Sequence, residues 1–336
     1  MAASSATSAS AAYATAKQLD FTEIPVIDLT PLASSDPAGL HKVARDIREA
    51  STTAGFFYVR NHGVGAEIVA DAFAESRRFF ALPLEAKLQL PVNARHRGFI
   101  KVGEAKMYAG AKPDLKESFV FGLDLPESDP DVRAGKMLMG PNVWPAALPS
   151  LRPALDRYYA AIDGCGRRLL RAFAVSLDLP EEFFVSRYTK PLARGAIIYY
   201  PPQPPDLGKD QFGVGAHTDY GCITLLAQDM NGGLQVRNRA GEWVAAMPIA
   251  DTFVINIGDL MARWTNDKFA SNPHRVVNSS GRERYSIAMF YDPHYDTEIE
   301  TITSCIGPGE AARYAPTTCG AYIKSRFDAA FQYRKP

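Results

Sequence analysis

The sequence predicts an α+β fold in which mixed helical elements precede a strand-rich half, with the change near residue 190. Apolar residues recur at helical spacing through residues 149–179, which indicates a long helix. From residue 196 onward, short apolar runs alternate with turn residues, a pattern typical of a sandwich or jelly roll. A chain of 336 residues with 46% hydrophobic content can bury one large core, so we expect one compact unit.

The N-terminal third is predicted to mix strands and helices. We expect a strand at 24–29, a helix through the apolar positions of 40–47, a strand at 56–59 and a second helix over 68–80. Residues 95–145 are rich in Gly, Pro, Lys and Asp, which predicts long loops and short strands. Loops of that length often form one wall of a binding site.

The long helix over 149–179 is predicted to be interrupted near Gly164 and Gly166, because glycine is a poor helix former. The strands expected after it cover residues 197–200, 222–226, 233–236, 253–256 and 285–291. We divide the chain into a disordered tail over 1–20, a mixed N-terminal region over 21–190, a core over 191–300 and a helical C-terminal extension over 301–336.

The composition excludes several kinds of partner. The 37 basic and 37 acidic residues give zero formal charge, so no overall field would attract nucleic acid or an anionic membrane. No stretch is long and apolar enough to cross a bilayer, and residues 1–17 lack the apolar run of a signal peptide. The cysteines show neither zinc-site spacing nor the density of a disulfide scaffold: Cys165, Cys222, Cys305 and Cys319. We expect a soluble, cytoplasmic protein that binds a small molecule.

One group of residues has the composition of a metal site. His217 and Asp219 are two residues apart, so their side chains share one face if the backbone is extended. His274 begins a later strand that could return across the sheet. Two histidines and one carboxylate form a facial triad that leaves metal positions open, which suits iron(II) and O₂ better than a structural zinc closed by four protein ligands.

His-x-Asp alone is weak support, because such a pair arises by chance and often forms a hydrogen-bonded surface pair. A second feature strengthens the hypothesis. Arg284 and Ser286 follow His274 by ten and twelve residues and lie on the same face of the next predicted strand. Arginine binds a carboxylate through two parallel hydrogen bonds, so this pair could hold a carboxylate ligand.

Taken together, the glycine-flanked His-Thr-Asp, the distal histidine and the Arg-x-Ser resemble the iron(II)/2-oxoglutarate-dependent dioxygenases. The resemblance is specifically to the subgroup that contains isopenicillin N synthase and the plant flavonoid oxygenases. Segments 24–28, 55–64 and 256–259 also look like that subgroup, so the likeness covers about residues 24–295. It implies a double-stranded β-helix, or jelly-roll, core with flanking helices.

The resemblance also implies cofactors and roles. Iron(II) would be bound by His217, Asp219 and His274, and the distal carboxylate of the cosubstrate 2-oxoglutarate by Arg284 and Ser286. Tyr200 would assist, although the neighbouring Tyr199 could be the inward residue. The chain departs from many bacterial members at Ala196, where they carry an arginine, so the role of that arginine is absent from this position.

By the family's chemistry, 2-oxoglutarate is decarboxylated to succinate and CO₂ while O₂ oxidises a small organic substrate, by hydroxylation or by desaturation or ring closure. The expected substrate pocket includes Arg97, Phe99, Tyr108 and Phe290, which would suit a small cyclic or carboxylated molecule. Residues 221–226 somewhat resemble fungal thymine hydroxylases. The remaining histidines are interpreted as surface or hydrogen-bonded residues: His41, His62, His96 and His294.

Two alternatives remain open from the sequence. One is an iron oxidase of the isopenicillin N synthase type, which uses no 2-oxoglutarate and would bind the substrate's own carboxylate with Arg284 and Ser286. The other, from a different class, is a non-catalytic jelly-roll protein that only holds a small ligand.

Overall fold

The structure is a computed structural model that describes residues 24–34, 36–104, 112–203, 211–278 and 280–330. The predicted tail over 1–20 and the candidate pocket residue Tyr108 lie outside these ranges. Within them, no helix combines the length and the apolar character that crossing a bilayer requires.

The helices pack on one side of a large sheet. Their bounds are α1 Pro37–Thr53, α2 Ala66–Phe80, α3 Leu84–Leu88, α4 Pro130–Arg133, α5 Leu151–Ser176, α6 Asp259–Trp264 and α7 Cys319–Ala330. The long helix α5 packs against α1 and α2. It is continuous, so the predicted interruption near Gly164 and Gly166 is wrong. A Cβ on Gly166 would lie 2.6 Å from the Tyr291 ring, so glycine here allows close packing of the helix against β12 and does not end it.

The strands form two main sheets. Their bounds are β1 Val26–Asp28, β2 Phe56–Arg60, β3 Gly98–Ile100, β4 Glu117–Gly122, β5 Arg194–Tyr200, β6 Val214–His217, β7 Ile223–Gln228, β8 Leu234–Arg237, β9 Trp243–Ala245, β10 Thr252–Ile257, β11 His274–Val276, β12 Arg284–Tyr291, β13 Glu298–Ile299 and β14 Thr317–Thr318. The major sheet has the order β1-β2-β10-β7-β12-β5-β4-β3, and the minor sheet the order β6-β11-β8-β9. The predicted α+β class is confirmed.

Strand β12 shows how the two cores arise. Ile287 and Met289 belong to the apolar core between the major sheet and the helices. Ala288 and Phe290 belong to the second core, between the major and minor sheets. Because side chains alternate along a strand, one sequence supplies both cores, which explains why its apolar run is almost uninterrupted.

The register of β5 and β12 organises the space between the sheets. These antiparallel strands place Arg284 opposite Tyr200 at one end and Phe290 opposite Arg194 at the other. Six residues of strand separate the two ends, which corresponds to about 20 Å. The interior therefore has two chemically distinct ends held at a constant separation.

His62, between β2 and α2, should contribute to the pH dependence of stability. It is buried with its ring 4.3 Å from that of Phe253, and its Nδ1 accepts a hydrogen bond from the Val64 amide at 3.2 Å. Burial lowers the pKa of His62 below its ordinary value. The unfolded chain then binds a proton more readily, so the free energy of unfolding should fall as pH drops below about 6.5.

We expect the melting temperature of H62N to fall less than that of the wild type between about pH 7.5 and about pH 5.5. Asparagine retains an oxygen that can accept the Val64 N–H but does not titrate. The matched control is H41N, at an exposed histidine on α1, which should retain the wild-type pH dependence. An H62N profile parallel to that of the wild type would contradict the assignment.

Candidate metal centre and adjoining cavity

Three side chains converge where the minor sheet faces the major sheet. His217 ends β6, Asp219 lies two residues beyond it, and His274 begins β11 directly opposite His217 in the antiparallel pairing. Asp219 Oδ1 is 3.7 Å from Nε2 of each histidine. The ligand atoms of all three residues lie within 4.8 Å of one another, so one cation could contact all of them.

Both imidazoles are oriented by backbone carbonyls. Nδ1 of His217 lies 2.8 Å from the Gly215 carbonyl oxygen, and Nδ1 of His274 lies 3.3 Å from that of Asn272. A proton on Nδ1 can donate to each carbonyl, which leaves the lone pair of Nε2 directed at the site. Burial, together with the neighbouring His274, lowers the pKa of His217 to about 3, so this ring is neutral at physiological pH.

Asp219 is held as a carboxylate by two donors. Its Oδ2 accepts hydrogen bonds from Thr224 Oγ1 at 2.5 Å and from Asn256 Nδ2 at 2.7 Å, which leaves Oδ1 for a metal. Burial alone would raise the pKa of Asp219, but the two histidines and these hydrogen bonds outweigh it, and the pKa lies below its ordinary value. Strand alternation could not identify these donors, because β7 and β10 approach Asp219 only in the folded chain.

Removing the hydrogen bond from Thr224 should weaken metal binding. The substitution T224V keeps the side-chain shape but removes the hydroxyl, so the carboxylate loses part of its orientation. We expect iron(II) affinity to fall by about 10- to 100-fold, as measured by anaerobic metal titration. T252V is the matched control, because the Thr252 hydroxyl donates to the Ile249 carbonyl away from the site. Equal affinities for T224V and T252V would argue against this role.

A second group in the described residues also has metal-ligand composition: Asp131, His294 and Asp296. Its two carboxylates are already paired with Lys136, and Asp131 also contacts Lys190 at 2.9 Å. The lysine ammonium groups therefore already supply the positive charge that a metal ion would bring to these carboxylates. No lysine of the described ranges pairs with Asp219, and its donor set suits an ion with open coordination positions.

Arg284 lies deep between the sheets and is 1% exposed. Its Nη2 donates to Gln228 Oε1 at 3.0 Å, its Nη1 to Ser286 Oγ at 3.4 Å, and its Nε to the Gly232 carbonyl. Within the described residues, no carboxylate forms an ion pair with it. A buried guanidinium without a counter-ion is costly, so this position fits an anionic ligand that completes the pair.

Tyr200 is the inward residue of the Tyr199-Tyr200 pair. Its ring centroid is 4.6 Å from the guanidinium carbon of Arg284, within the core between the sheets. Tyr199 lies on the opposite face, where it stacks on Phe80 at 5.5 Å. Tyr200 therefore covers the guanidinium of Arg284, which forms no ion pair with a carboxylate of the described residues.

A cavity of about 120 Å³ opens beside the triad. Its lining comprises His96, Ile100, Lys116, Ser118, Val120, Arg194, Ala196, Ile198, His217, Thr218, Asp219, Tyr220, Phe290 and Phe327. The prediction for Phe290 agrees with this placement. His96, interpreted from sequence as a surface or hydrogen-bonded residue, is a buried lining residue.

Arg97 and Phe99 do not line this cavity, so the sequence-based expectation for these two is corrected. Arg97 is buried, and its Nη2 donates to the carbonyl of Leu138 in a later segment of the chain at 2.7 Å. Phe99 lies in the core on the helix side, with its ring 6.1 Å from that of Phe79. In the strand β3, Ile100 is the residue that points to the cavity, one position further on.

Most of the residues that line the cavity were not predicted as site residues, and two of them are instructive. Arg194 could have been found, because it shares a strand face with Ala196, Ile198 and Tyr200. Phe327 could not, because it lies on α7 and reaches the cavity only when the C-terminal helix folds back against the sheets.

Two family models match the chain. Residues 24–147 match the N-terminal model of the non-haem dioxygenases in morphine synthesis, and residues 180–293 match the 2OG-Fe(II) oxygenase superfamily. The chain is similar to the 2-oxoglutarate-Fe(II) type oxidoreductase hxnY of Emericella nidulans, with 36% identity over 93% of this chain and 92% of that protein. It is 35% identical to a homoarginine-6-hydroxylase of Glycine max, over 84% of this chain and 89% of that one.

Solved structures show the same similarity. The crystal structure of full-length Neurospora crassa T7H in complex with alpha-KG and 5-formyluracil has a TM-score of 0.80 and 32% identity, covering 91% of this chain and 96% of that one. The alpha-KG in that complex is 2-oxoglutarate. The likeness therefore extends over both sheets and the flanking helices.

Proposed function

The chain belongs to the family of iron(II)- and 2-oxoglutarate-dependent oxygenases, and from this premise we propose that His217, Asp219 and His274 hold the iron. The geometry supports this assignment, because two imidazoles and one carboxylate place their ligand atoms around one point. Iron(II) held by these residues would supply the chemistry that activates O₂ in the presence of 2-oxoglutarate. The protein's own residues supply orientation and exclusion of water.

We assign the distal carboxylate of 2-oxoglutarate to Arg284, Ser286 and Tyr200. The observation that carries this assignment is the buried guanidinium of Arg284, which has no carboxylate partner in the described residues. A dicarboxylate would complete the ion pair, accept from the Ser286 hydroxyl and lie against the Tyr200 ring. His274 lies on β11 and Arg284 on β12, and both strands belong to the packed sheets. The proposed iron ligands and the residues that would bind the distal carboxylate are therefore held rigidly with respect to each other.

The substrate would enter the cavity beside His217 and Asp219, on the side of the triad away from Arg284. Such a cavity excludes bulk water from the metal when filled, which favours oxidation of the substrate over side reactions. Hydroxylation of a small organic molecule is the expected outcome. Both alternatives left open by the sequence, an oxidase without 2-oxoglutarate and a binding protein, are less well supported, because the relatives are named as 2-oxoglutarate-dependent enzymes.

The experiment that tests this function measures succinate. Purified protein given iron(II), O₂ and 2-oxoglutarate should release succinate, with faster release when a substrate is present. Omitting iron or 2-oxoglutarate should abolish the reaction. Substrate oxidation and O₂ uptake that proceed without 2-oxoglutarate would instead support the oxidase, and ligand binding with no succinate under any condition would support the binding protein.

We also propose that the protein works in the cytoplasm. Its four cysteines are unpaired and buried, as expected of a protein that folds under reducing conditions. Cell fractionation with antibody detection would test this location, and recovery with a secreted or organelle fraction would contradict it.

A further inference from the structure

Arg194 is a second buried arginine of the interior, at the opposite end of β5 from Tyr200. It is 5% exposed, and it lines the cavity beside the triad. Along the paired strands, the backbone positions of Arg194 and Arg284 are about 20 Å apart. One 2-oxoglutarate molecule is too short to contact both side chains. Arg194 is therefore available to a different ligand.

The guanidinium of Arg194 is held rigidly by aromatic rings. Its central carbon lies 4.9 Å from the ring centroid of Phe290 and 4.9 Å from that of Phe327. Phe290 comes from β12 and Phe327 from α7, so two distant parts of the chain fix one side chain. A guanidinium restrained in this way loses little conformational entropy when it binds a ligand.

The hydrogen-bonding capacity of Arg194 is incompletely used. Its Nη2 contacts the fully buried Asp292 at 3.5 Å, while its Nε is buried and has no hydrogen-bond partner among the residues that the structure describes. Buried polar groups in folded proteins usually have partners, and an unpaired donor costs free energy. The part of Arg194 that lines the cavity could donate to an acceptor oxygen of a ligand there and so add to the single long contact with Asp292.

The space in front of Arg194 suits a flat ring. Ala196, next on the same strand face, contributes only a methyl group, so the arginine is not covered by its neighbour. Tyr220 and Phe290 provide ring surfaces, and Ile100 and Val120 provide an apolar floor. Aromatic and aliphatic walls with one polar end favour a small planar ligand over a long flexible one.

The charges around the cavity oppose a cationic ligand. Its basic lining residues, Lys116 and Arg194, are paired with Asp114 at 3.3 Å and Asp292 at 3.5 Å, which neutralises the wall without leaving a spare carboxylate. Among the described lining residues the one acidic side chain is Asp219, which is committed to the metal. A guanidinium or ammonium group in the substrate would have no counter-ion there.

From these observations we propose that the substrate is a small planar ring compound with an acceptor oxygen at its edge, which Arg194 binds against Phe290 and Phe327. Two kinds of molecule carry such an acceptor oxygen: ring carboxylates and ring carbonyls. This inference rests on the proposed function and specifies its substrate. Arg194 and Phe290 are accordingly residues that determine specificity.

The test uses the whole protein with iron(II) and 2-oxoglutarate under anaerobic conditions, so that no probe is oxidised during the binding measurement. Calorimetric titration with 2-oxoglutarate comes first. Three probes follow: benzoate as a ring carboxylate, thymine as a ring carbonyl and homoarginine as a cationic compound. We expect benzoate or thymine to bind and homoarginine not to bind, and the better of the first two identifies the acceptor.

The variant R194K keeps a positive charge for Asp292 but removes the planar donor group. It should bind 2-oxoglutarate like the wild type, while affinity for the better probe falls at least about tenfold. R187K is the matched control, because Arg187 stacks on Phe183 at 4.1 Å and does not line the cavity. F290L removes the ring contact with Arg194 and leaves the Arg194–Asp292 ion pair in place. It should also weaken probe binding, and it provides the test if R194K fails to fold.

Three results would overturn the inference while leaving the proposed function intact: homoarginine binding best, no probe binding to a protein that binds 2-oxoglutarate, or unchanged probe affinity in both R194K and F290L. Failure of the first titration would instead overturn the proposed function, and this inference with it. The two failures are therefore distinguishable in one set of measurements.

Discussion

Replacing Asp219 is expected to abolish turnover. In D219A the site keeps two imidazoles but loses its one anionic ligand, and iron(II) affinity should fall below detection at micromolar metal. We expect succinate formation to drop by about 10³-fold or more, equivalent to about 4 kcal/mol of transition-state stabilisation. The measurement is 2-oxoglutarate-dependent succinate release at saturating iron, alongside metal content after dialysis.

D219N separates charge from shape at this position. The amide can still accept from Thr224 or Asn256, so the fold should persist by circular dichroism, but the anionic metal ligand is gone. D46N is the control, because Asp46 is an exposed carboxylate paired with Lys42 at 3.0 Å on α1. Normal iron content and turnover in D219N would show that the metal is held elsewhere.

Replacing Arg284 should give the second largest effect, on the cosubstrate. R284Q removes the guanidinium, and the KM for 2-oxoglutarate should rise at least about 30-fold, corresponding to about 2 kcal/mol, the lower end for loss of one partner of a buried charge pair. R284K retains the charge without the planar donors and should lie between R284Q and the wild type. The control is R237K, at an exposed arginine on β8.

Stability measurements distinguish this role from a structural one. Since Arg284 has no carboxylate partner in the described residues, R284Q removes an uncompensated buried charge, and its melting temperature without 2-oxoglutarate should not fall. Adding 2-oxoglutarate should raise the melting temperature of the wild type but not that of R284Q. A large destabilisation of R284Q together with an unchanged KM would indicate that Arg284 supports the fold and does not bind the cosubstrate.

The proximity of the side chains that we propose for iron and for 2-oxoglutarate could be predicted in part, because it depends on short-range alternation along strands. His217 with Asp219, and Arg284 with Ser286, are pairs two residues apart, and an extended backbone puts each pair on one face whatever surrounds it. The choice between Tyr199 and Tyr200 could not be made in this way. It depends on which face of β5 meets the minor sheet, and that is decided by packing between distant strands.

The residues that line the cavity beside the triad were harder to predict for a related reason. Arg97, just before β3, and Phe99 within it have suitable chemistry, yet neither lines the cavity, and β3 presents Ile100 there instead. Phe327 enters from a helix that begins 28 residues after β12 ends, and no local pattern signals that approach. Likewise, the glycines of α5 suggested a break, whereas Gly166 serves the close packing of Tyr291.

The pairing of β5 with β12 limits how this protein can diverge. The antiparallel register places Tyr200 opposite Arg284 and Arg194 opposite Phe290. The same pair of strands therefore carries the residues proposed to bind 2-oxoglutarate at one end and those proposed to bind the substrate at the other. Inserting a single residue within either strand would turn its side chains to the opposite face and disturb both ends together. Substitution at one position, by contrast, can alter the ligand at one end while the other is preserved. Relatives with new substrates should therefore differ in side chains along these strands and keep their lengths.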